Sequence, residues 1–327
     1  LNGLVTINTQ GIQEWTVPYS GFYTVDAIGA KGGGSSPGKG ARMLGDIYLY
    51  NGDILKVLVG QTGASHNNGN GGGGGTFVAL LDNTPLLIAG GGGGGNIPGG
   101  DAVIDINGSQ GANCENPYCG TPGIDGNGSV TDYEYITGAG GFYSDGQSIQ
   151  PYSGQSFLNG GIGGGGTQFS EYAGGFGGGG ASGSSGWARS GGGGGYSGGA
   201  SNLSSIEVAG GGGGSYISAD ADTLIMQAGF NSGYGRVTIT FGKSITWLSA
   251  ESTSGTISGS GSQDVNLNFD ASDMMGGQYL ADVNISSNDP TEISVTTIPV
   301  TLDVTGAPDI TVSADTLDFG DLVLPAT

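Results

Sequence analysis

The chain is 327 residues long, 75 of them glycine, and carries 28 Asp and Glu against 7 Lys and Arg, for a formal net charge of −21. That length suffices for two domains. The charge excludes a nucleic-acid partner and an anionic membrane surface, both of which need clustered basic side chains. No stretch approaches the roughly 20 apolar residues of a membrane-spanning helix, so no membrane insertion is expected.

Composition steps near Lys243. All but eight of the glycines lie at or before Phe241, every Lys and Arg lies at or before Lys243, and the part from Ser244 holds 12 acidic residues and no basic one. The predicted organisation is therefore a glycine-rich domain over 1–242, a second domain over 243–306, and a short segment over 307–327. The opening residues, LNGLVTINTQ, lack the basic and apolar regions of a signal peptide and read as a strand. Either a leader has been removed or the chain is an internal segment.

Strands dominate the first 60 residues. The stretch WTVPYSGFYTVDAIGA alternates apolar and polar positions around a turn at Pro18 to Gly21. In DIYLYNGDILKVLVG, Asn51-Gly52 is the signal for a hairpin between two strands. Two further strands, over 76–81 and 85–89, flank a turn at Asp82-Asn83. Short alternating strands with regular turns predict an all-β fold, a β-sandwich.

The second of these strands, LLIA, runs straight into six glycines at 90–95, and further runs occupy 71–75, 163–166, 177–180, 191–195 and 210–214. Flexible tethers mix Gly with Ser and carry few large side chains. Here Ile88, Phe77, Phe176, Tyr196, Ile206 and Val208 bracket the runs, so the runs are expected to be ordered. A helix is disfavoured by about 1 kcal/mol per glycine, and a glycine strand has nothing to pack. The remaining regular form is the polyproline II conformation, with three residues per turn and outward-pointing N–H and C=O groups. One run cannot satisfy its own polar groups, so the runs are predicted to bundle as polyglycine II helices inserted in the sandwich.

Two cysteines, Cys114 and Cys119, stand in NCENPYCG. A disulfide across that short loop is geometrically easy and indicates an oxidising compartment. Two thiols without a second pair or a nearby His fall short of a zinc site.

Seven motifs in order, among them WTVPYSGFYTVDAIGAKGG, GKGARMLGDIYLYNGDILKVLVGQTG, PLLIAGGGGGG, GFGGGG and GYGRVTI, resemble the extracellular glycine-rich domain of the anaplastic lymphoma kinase receptor family and of bacterial secreted proteins. The resemblance covers about residues 3–241. It implies a β-sandwich with inserted glycine helices, used for protein recognition outside the cell. The chain departs from those receptors in having no transmembrane helix, no kinase and a different cysteine pattern, so their signalling role and ligand-contacting residues are not carried over. From Ser244, period-two alternation with turns about every ten residues predicts an Ig-like β-sandwich, and WLSAESTSGTI, GQYLADVNISSNDP and IPVTLDV resemble bacterial Ig-like repeats. Residues 307–327 read as the start of a further repeat or as a strand donated to another sheet.

The inserts between glycine runs, the longest over 96–162, are aromatic and polar, and they are expected as loops at the ends of the glycine helices. Loops on a rigid scaffold carry binding. The candidate binding residues are Tyr133, Tyr135, Tyr143, Tyr152 and Trp187; the competing role for each ring is to cap the bundle. No cofactor is expected, and calcium is the one metal with a candidate ligand set, Asp125, Asn127, Ser129 and Asp132. The bidentate acid that should close such a loop is replaced by Ile136. Residues 33–39, GGSSPGK, have phosphate-loop spacing, but Gly40 stands where Ser or Thr belongs and a strand follows. Gly195 to Gly199 matches G-x-S-x-G inside a glycine tract with no strand–elbow–helix context. The only histidine, His66, lies in a polar loop. Neither motif marks an enzyme.

These residues lead to an expectation of an extracellular, non-enzymatic surface protein: an adhesin or a structural subunit of a fibre or matrix. Its partners would be a protein or glycan at a cell surface, or further copies of itself. The alternatives are a receptor-like ectodomain with one protein ligand, and an accessory segment of a larger secreted hydrolase.

Overall fold

The computed structural model describes residues 5–9, 11–66, 69–98, 100–114, 117–165, 172–183, 188–242, 247–259, 261–272, 277–287 and 295–305. The chain divides into two compact units, Leu1–Lys243 and Ser244–Thr327.

The first unit is built of β1 (Val5–Thr9), β2 (Ile12–Thr16), β3 (Gly21–Ile28), β4 (Gly40–Leu49), β5 (Ile54–Leu58), β6 (Gly69–Asn70), β7 (Thr76–Leu80), β8 (Pro85–Ala89), β9 (Val130–Thr131), β10 (Gln147–Ser148), β11 (Ala188–Ser190), β12 (Asn202–Ser204), β13 (Tyr216–Ile217), β14 (Asp222–Asn231) and β15 (Arg236–Phe241). A six-stranded antiparallel sheet has the order β1-β2-β5-β7-β8-β13, and a four-stranded antiparallel sheet the order β14-β4-β3-β15. Val57, Val78 and Leu87 of the first share one core with Tyr23, Val25, Met43 and Ile47 of the second. The unit is all-β, and this pairing of sheets is consistent with a β-sandwich.

The six-stranded sheet is covered on both faces. Its register aligns Ile12, Leu58, Phe77, Ile88 and Tyr216 in one cross-strand row. That row packs against Phe142, Phe157 and Tyr196, whereas the row beside it, through Val57, Val78 and Leu87, faces the four-stranded sheet. The apolar runs FVAL and LLIA, with no polar alternation, are the sequence form of strands buried on both sides.

One turn differs from expectation. The hairpin signal at Asn51-Gly52 does mark a turn, with Gly52 at φ +91°, but β4 and β5 belong to different sheets. The Pro18 to Gly21 turn likewise hands the chain from β2 to β3 across the core. The reason is occupancy: β4 already has β3 and β14 as neighbours, and β5 has β2 and β7. The two crossings lie side by side and bind each other, Val17 N–H donating to Asp53 O at 2.8 Å, Gly52 N–H to Val17 O at 2.9 Å and Asn51 N–H to Ser20 Oγ at 2.9 Å. The Asp82-Asn83 turn, by contrast, closes a true hairpin between β7 and β8, with Asn83 at φ +70°.

The glycine runs at 71–75, 90–95, 191–195 and 210–214 are buried throughout. Each bonds to its neighbours. Gly91 and Gly94 donate N–H to Gly194 O and Gly191 O, and Gly92 and Gly95 donate to Ala30 O and Gly33 O. Carbonyls keep the same step: Gly91 and Gly94 accept from Gly213 and Gly210, and Gly90 and Gly93 accept from Ala41 and Gly38. Gly72 and Gly75 donate to Gly180 O and Gly177 O, and Gly191 and Gly194 to Asn70 O and Gly73 O. A given neighbour thus recurs every third residue. Residues 90–95, which continue β8, lie among the others.

Close approach, not backbone angle, requires glycine there. None of residues 90–95 has positive φ, yet an added Cβ would stand 2.2 Å from Gly213 O at Gly90, 2.4 Å from Gly73 O at Gly91 and 2.0 Å from Gly38 O at Gly92. Each Cα therefore points a hydrogen at a neighbouring carbonyl, an orientation that adds weak Cα–H···O attraction to the N–H···O bonds.

The insert over 96–162 departs from the expected end loops. Phe142 and Phe157 from it are buried against the outer face of the six-stranded sheet, because that face, apolar at Leu58, Phe77 and Ile88, needs a cover.

In the second unit, β16 (Leu248–Ala250) pairs with β17 (Leu267–Phe269), and β18 (Gly277–Ser286) pairs antiparallel with β19 (Val295–Val304). Trp247 is buried, its ring stacked on Phe269 at 6.1 Å and edge-on to Tyr279 at 6.5 Å. The expected opening strand of a further repeat, 307–327, lies outside the described residues.

Candidate functional site

Cys114 and Cys119 form a disulfide with Cα atoms 5.4 Å apart. The loop is docked, with Cys119 bridged to Asn202 and Gln110 Nε2 donating to Gly120 O at 2.9 Å. Tyr133 belongs to this support: its ring lies 5.5 Å from Tyr118 and its hydroxyl donates to Pro117 O.

Tyr135 is 41% exposed, sits at φ +70°, and lies over the Arg189 guanidinium, whose carbon is 4.9 Å from the ring centre. Arg189 is buried and donates from Nη1 to Gly183 O at 3.2 Å. Burial pulls its pKa down, but an arginine stays charged, so the ring face is held by a fixed cation.

Tyr143 is 47% exposed at the side of an aromatic column. Phe77 stacks on Phe157 at 5.3 Å, Phe157 on Phe142 at 5.0 Å, Phe142 on Tyr196 at 6.1 Å and Tyr196 on Tyr216 at 4.7 Å. Tyr143 meets Phe142 and Tyr196 edge-on at 5.0 and 6.1 Å. Desolvation, then a hydrogen bond with Tyr143, pushes the Tyr196 hydroxyl up to about 12. Desolvation raises that of Tyr216 as well. Both are therefore neutral hydroxyls at physiological pH. Tyr152 is 37% exposed, its carbonyl accepting from Gly165 N–H at 2.7 Å. Trp187 lies outside the described residues. No ring contact among the described residues joins Tyr133, Tyr135, Tyr143 and Tyr152 to one another.

Two of the four calcium candidates have other partners. Asn127 Oδ1 accepts from Ser144 Oγ at 3.1 Å, and buried Ser129 Oγ accepts from Ala139 N–H at 2.8 Å. Asp125, at φ +50°, and Asp132 are exposed. Among the described residues no group of three or more His, Cys, Asp or Glu is placed to hold a metal ion. In residues 33–39 the N–H groups of Gly33 and Gly38 donate to Gly71 O and Gly93 O, which leaves those two unavailable to a phosphate. Ser197 is buried and accepts from Gly126 N–H at 2.9 Å.

Two exposed groups escaped sequence reasoning. Phe22, Tyr48 and Tyr50 form a ladder on the four-stranded sheet, with rings 5.3 and 5.2 Å apart. Aromatics at the polar positions of alternating strands were the available signal. The other is a cleft of about 550 Å³ whose lining includes Gln13, Val59, Gln61, Ile162, Phe176 and Tyr234. Its walls come from segments far apart in sequence, which no local pattern announces. No protein-family model matches this chain, and no curated protein matches it.

Proposed function

We propose that this is an extracellular, non-enzymatic surface protein, an adhesin or a structural subunit of a fibre or matrix. In this reading the glycine runs are polyglycine II helices bundled beside a β-sandwich, as the likeness to the anaplastic lymphoma kinase glycine-rich domain implies. The second unit is an Ig-like repeat that serves as a stalk. The observation that carries the reading is the three-residue recurrence of hydrogen-bond partners through buried glycine runs, the step of a polyproline II helix. Such a bundle is stiff because its bonds are between backbones, and stiffness suits loops that must meet a partner without ordering first. The disulfide between Cys114 and Cys119 fits an oxidising compartment.

The test is to image the purified chain and to measure its adhesion to cells, alongside a Tyr135→Ala/Tyr143→Ala variant. Filaments support the structural subunit. Discrete particles that bind cells saturably, and lose that binding in the variant, support the adhesin. Particles that neither assemble nor bind would refute both.

A further inference from the structure

We infer that the cleft beside β2 and the turn between β14 and β15 is a binding site for an uncharged carbohydrate, a role that does not depend on surface display. The first observation is charge. In a chain with a formal charge of −21, no charged side chain among the described residues lines this cleft of about 550 Å³. Among the described residues a cation would find no carboxylate there, and an anion no Lys or Arg.

The second observation is polar capacity. The side-chain amides of Gln13 and Gln61 make no hydrogen bond to the protein among the described residues. Each offers two donors and an acceptor, the complement of a hydroxyl that both donates and accepts. A purely apolar ligand would strip water from these amides without replacing it, at a cost of about 1–3 kcal/mol for each group left unpaired. The ligand must therefore carry neutral hydrogen-bonding groups.

The third observation is an aromatic platform held on rigid supports. Tyr234 is 70% exposed, a ring free to meet the apolar face of a pyranose. Its turn is anchored by Asn231, whose Nδ2 donates to Gly29 O at 2.7 Å and Tyr234 O at 2.7 Å, and by Lys31 N–H donating to Gly233 O at 2.9 Å. Opposite, Gln61 is pinned through its backbone: its N–H donates to Phe176 O at 2.8 Å and its carbonyl accepts from Gly74 at 2.9 Å. Phe176 lies over Gly11, where an added Cβ would be 2.4 Å from its ring. Amides that both donate and accept, beside an exposed aromatic ring in a cleft lined by no charged side chain among the described residues, match a neutral ligand with hydroxyls and an apolar face, which is the chemistry of a pyranose.

The experiment is calorimetric titration of the full chain with cellohexaose, maltohexaose and chitohexaose, with heparin and an uncharged proline-rich peptide as controls. Saturable binding of at least one neutral hexasaccharide is expected, unchanged when salt is raised, because no charge pairing contributes. Tyr234→Ala should weaken it by about tenfold or more, and Gln61→Ala by about fivefold, the equivalent of one lost hydrogen bond. Tyr234 is exposed, and an unchanged thermal melt will show that the variant folds. The inference is overturned if none of the three sugars binds, if heparin or the peptide binds as well or better, or if Tyr234→Ala binds like the parent. None of these outcomes bears on the adhesion test, which reads Tyr135 and Tyr143.

Discussion

Replacing Gly92 by alanine places one methyl where the fold has no room for it. The added carbon would lie 2.0 Å from Gly38 O, 2.2 Å from Gly38 C and 2.8 Å from Lys39 N. All three are backbone atoms, so no rotamer change relieves the overlap. Reaching ordinary contact requires the two segments to part by over about 1 Å. That opening strains Gly38 N–H to Gly93 O at 2.9 Å, Gly92 N–H to Ala30 O at 2.9 Å and Gly73 N–H to Gly92 O at 2.7 Å. Overpacking alone costs about 1–3 kcal/mol, and each buried polar group left unpaired adds about 1–3 kcal/mol. With two such groups lost, the expected destabilisation is about 3–9 kcal/mol, a large share of the roughly 5–15 kcal/mol that holds a typical domain. In a unit of this size it lowers the melting point by about 10 °C or more. The control is Gly233→Ala, where the nearest atom to the new carbon is Asn231 Oδ1 at 3.6 Å; there, reduced freedom of the unfolded chain makes the change close to neutral. Thermal and denaturant melts of the first unit's transition compare the two. If Gly92→Ala melts with Gly233→Ala, the dense backbone packing is wrong.

Three further outcomes are expected. Removing the disulfide with Cys114→Ser/Cys119→Ser costs about 2 kcal/mol, because so short a loop gains little from closure; a loss well above that, in denaturant melts, would mean the bridge supports more than its own loop. A chelator should leave the first unit's melting point unchanged, since Asn127 and Ser129 are engaged within the protein; a large drop would restore the calcium assignment. Tyr196 titrates near 12 in the fold against 10.0 when unperturbed. Its protonated form is thus favoured by folding, and that contribution is complete below pH 10 and lost as pH rises through about 12. Tyr196→Phe should flatten the fall of stability over that window, and near-ultraviolet titration of tyrosinate should lose its latest-ionising component. A parent chain whose stability is constant across the window would refute the desolvation of this ring.

How much of this was legible in the sequence depended on whether the signal was local. The strands around Phe77 and Ile88 and the hairpin at Asp82-Asn83 follow from period and turn chemistry over a few residues. Asn51-Gly52 announced a turn correctly and its partner wrongly, because a turn's chemistry fixes its angles and not the sheet each flank joins. The disulfide between Cys114 and Cys119 was readable from spacing. The buried role of Phe142 and Phe157 was not, since it arises from an apolar sheet face contributed by residues up to 145 positions away, Ile12 against Phe157. For the same reason Tyr143 is visible as an exposed ring, while its support by Tyr196 and Tyr216 is not. The cleft at Gln13, Gln61 and Tyr234 is the extreme case, assembled from β2, the end of β5 and a distant turn.

Buried glycine runs, which add peptide groups to the interior beside the apolar core, also change how the unit responds to temperature. Unfolding exposes apolar surface, which raises heat capacity, and polar surface, which lowers it. The buried runs at 71–75, 90–95, 191–195 and 210–214 contribute mostly the second kind. Calorimetry should therefore return a smaller heat-capacity increment per residue than the usual 12–15 cal/mol/K. The stability curve is correspondingly broad, and the fold weakens slowly in the cold as well as in the heat.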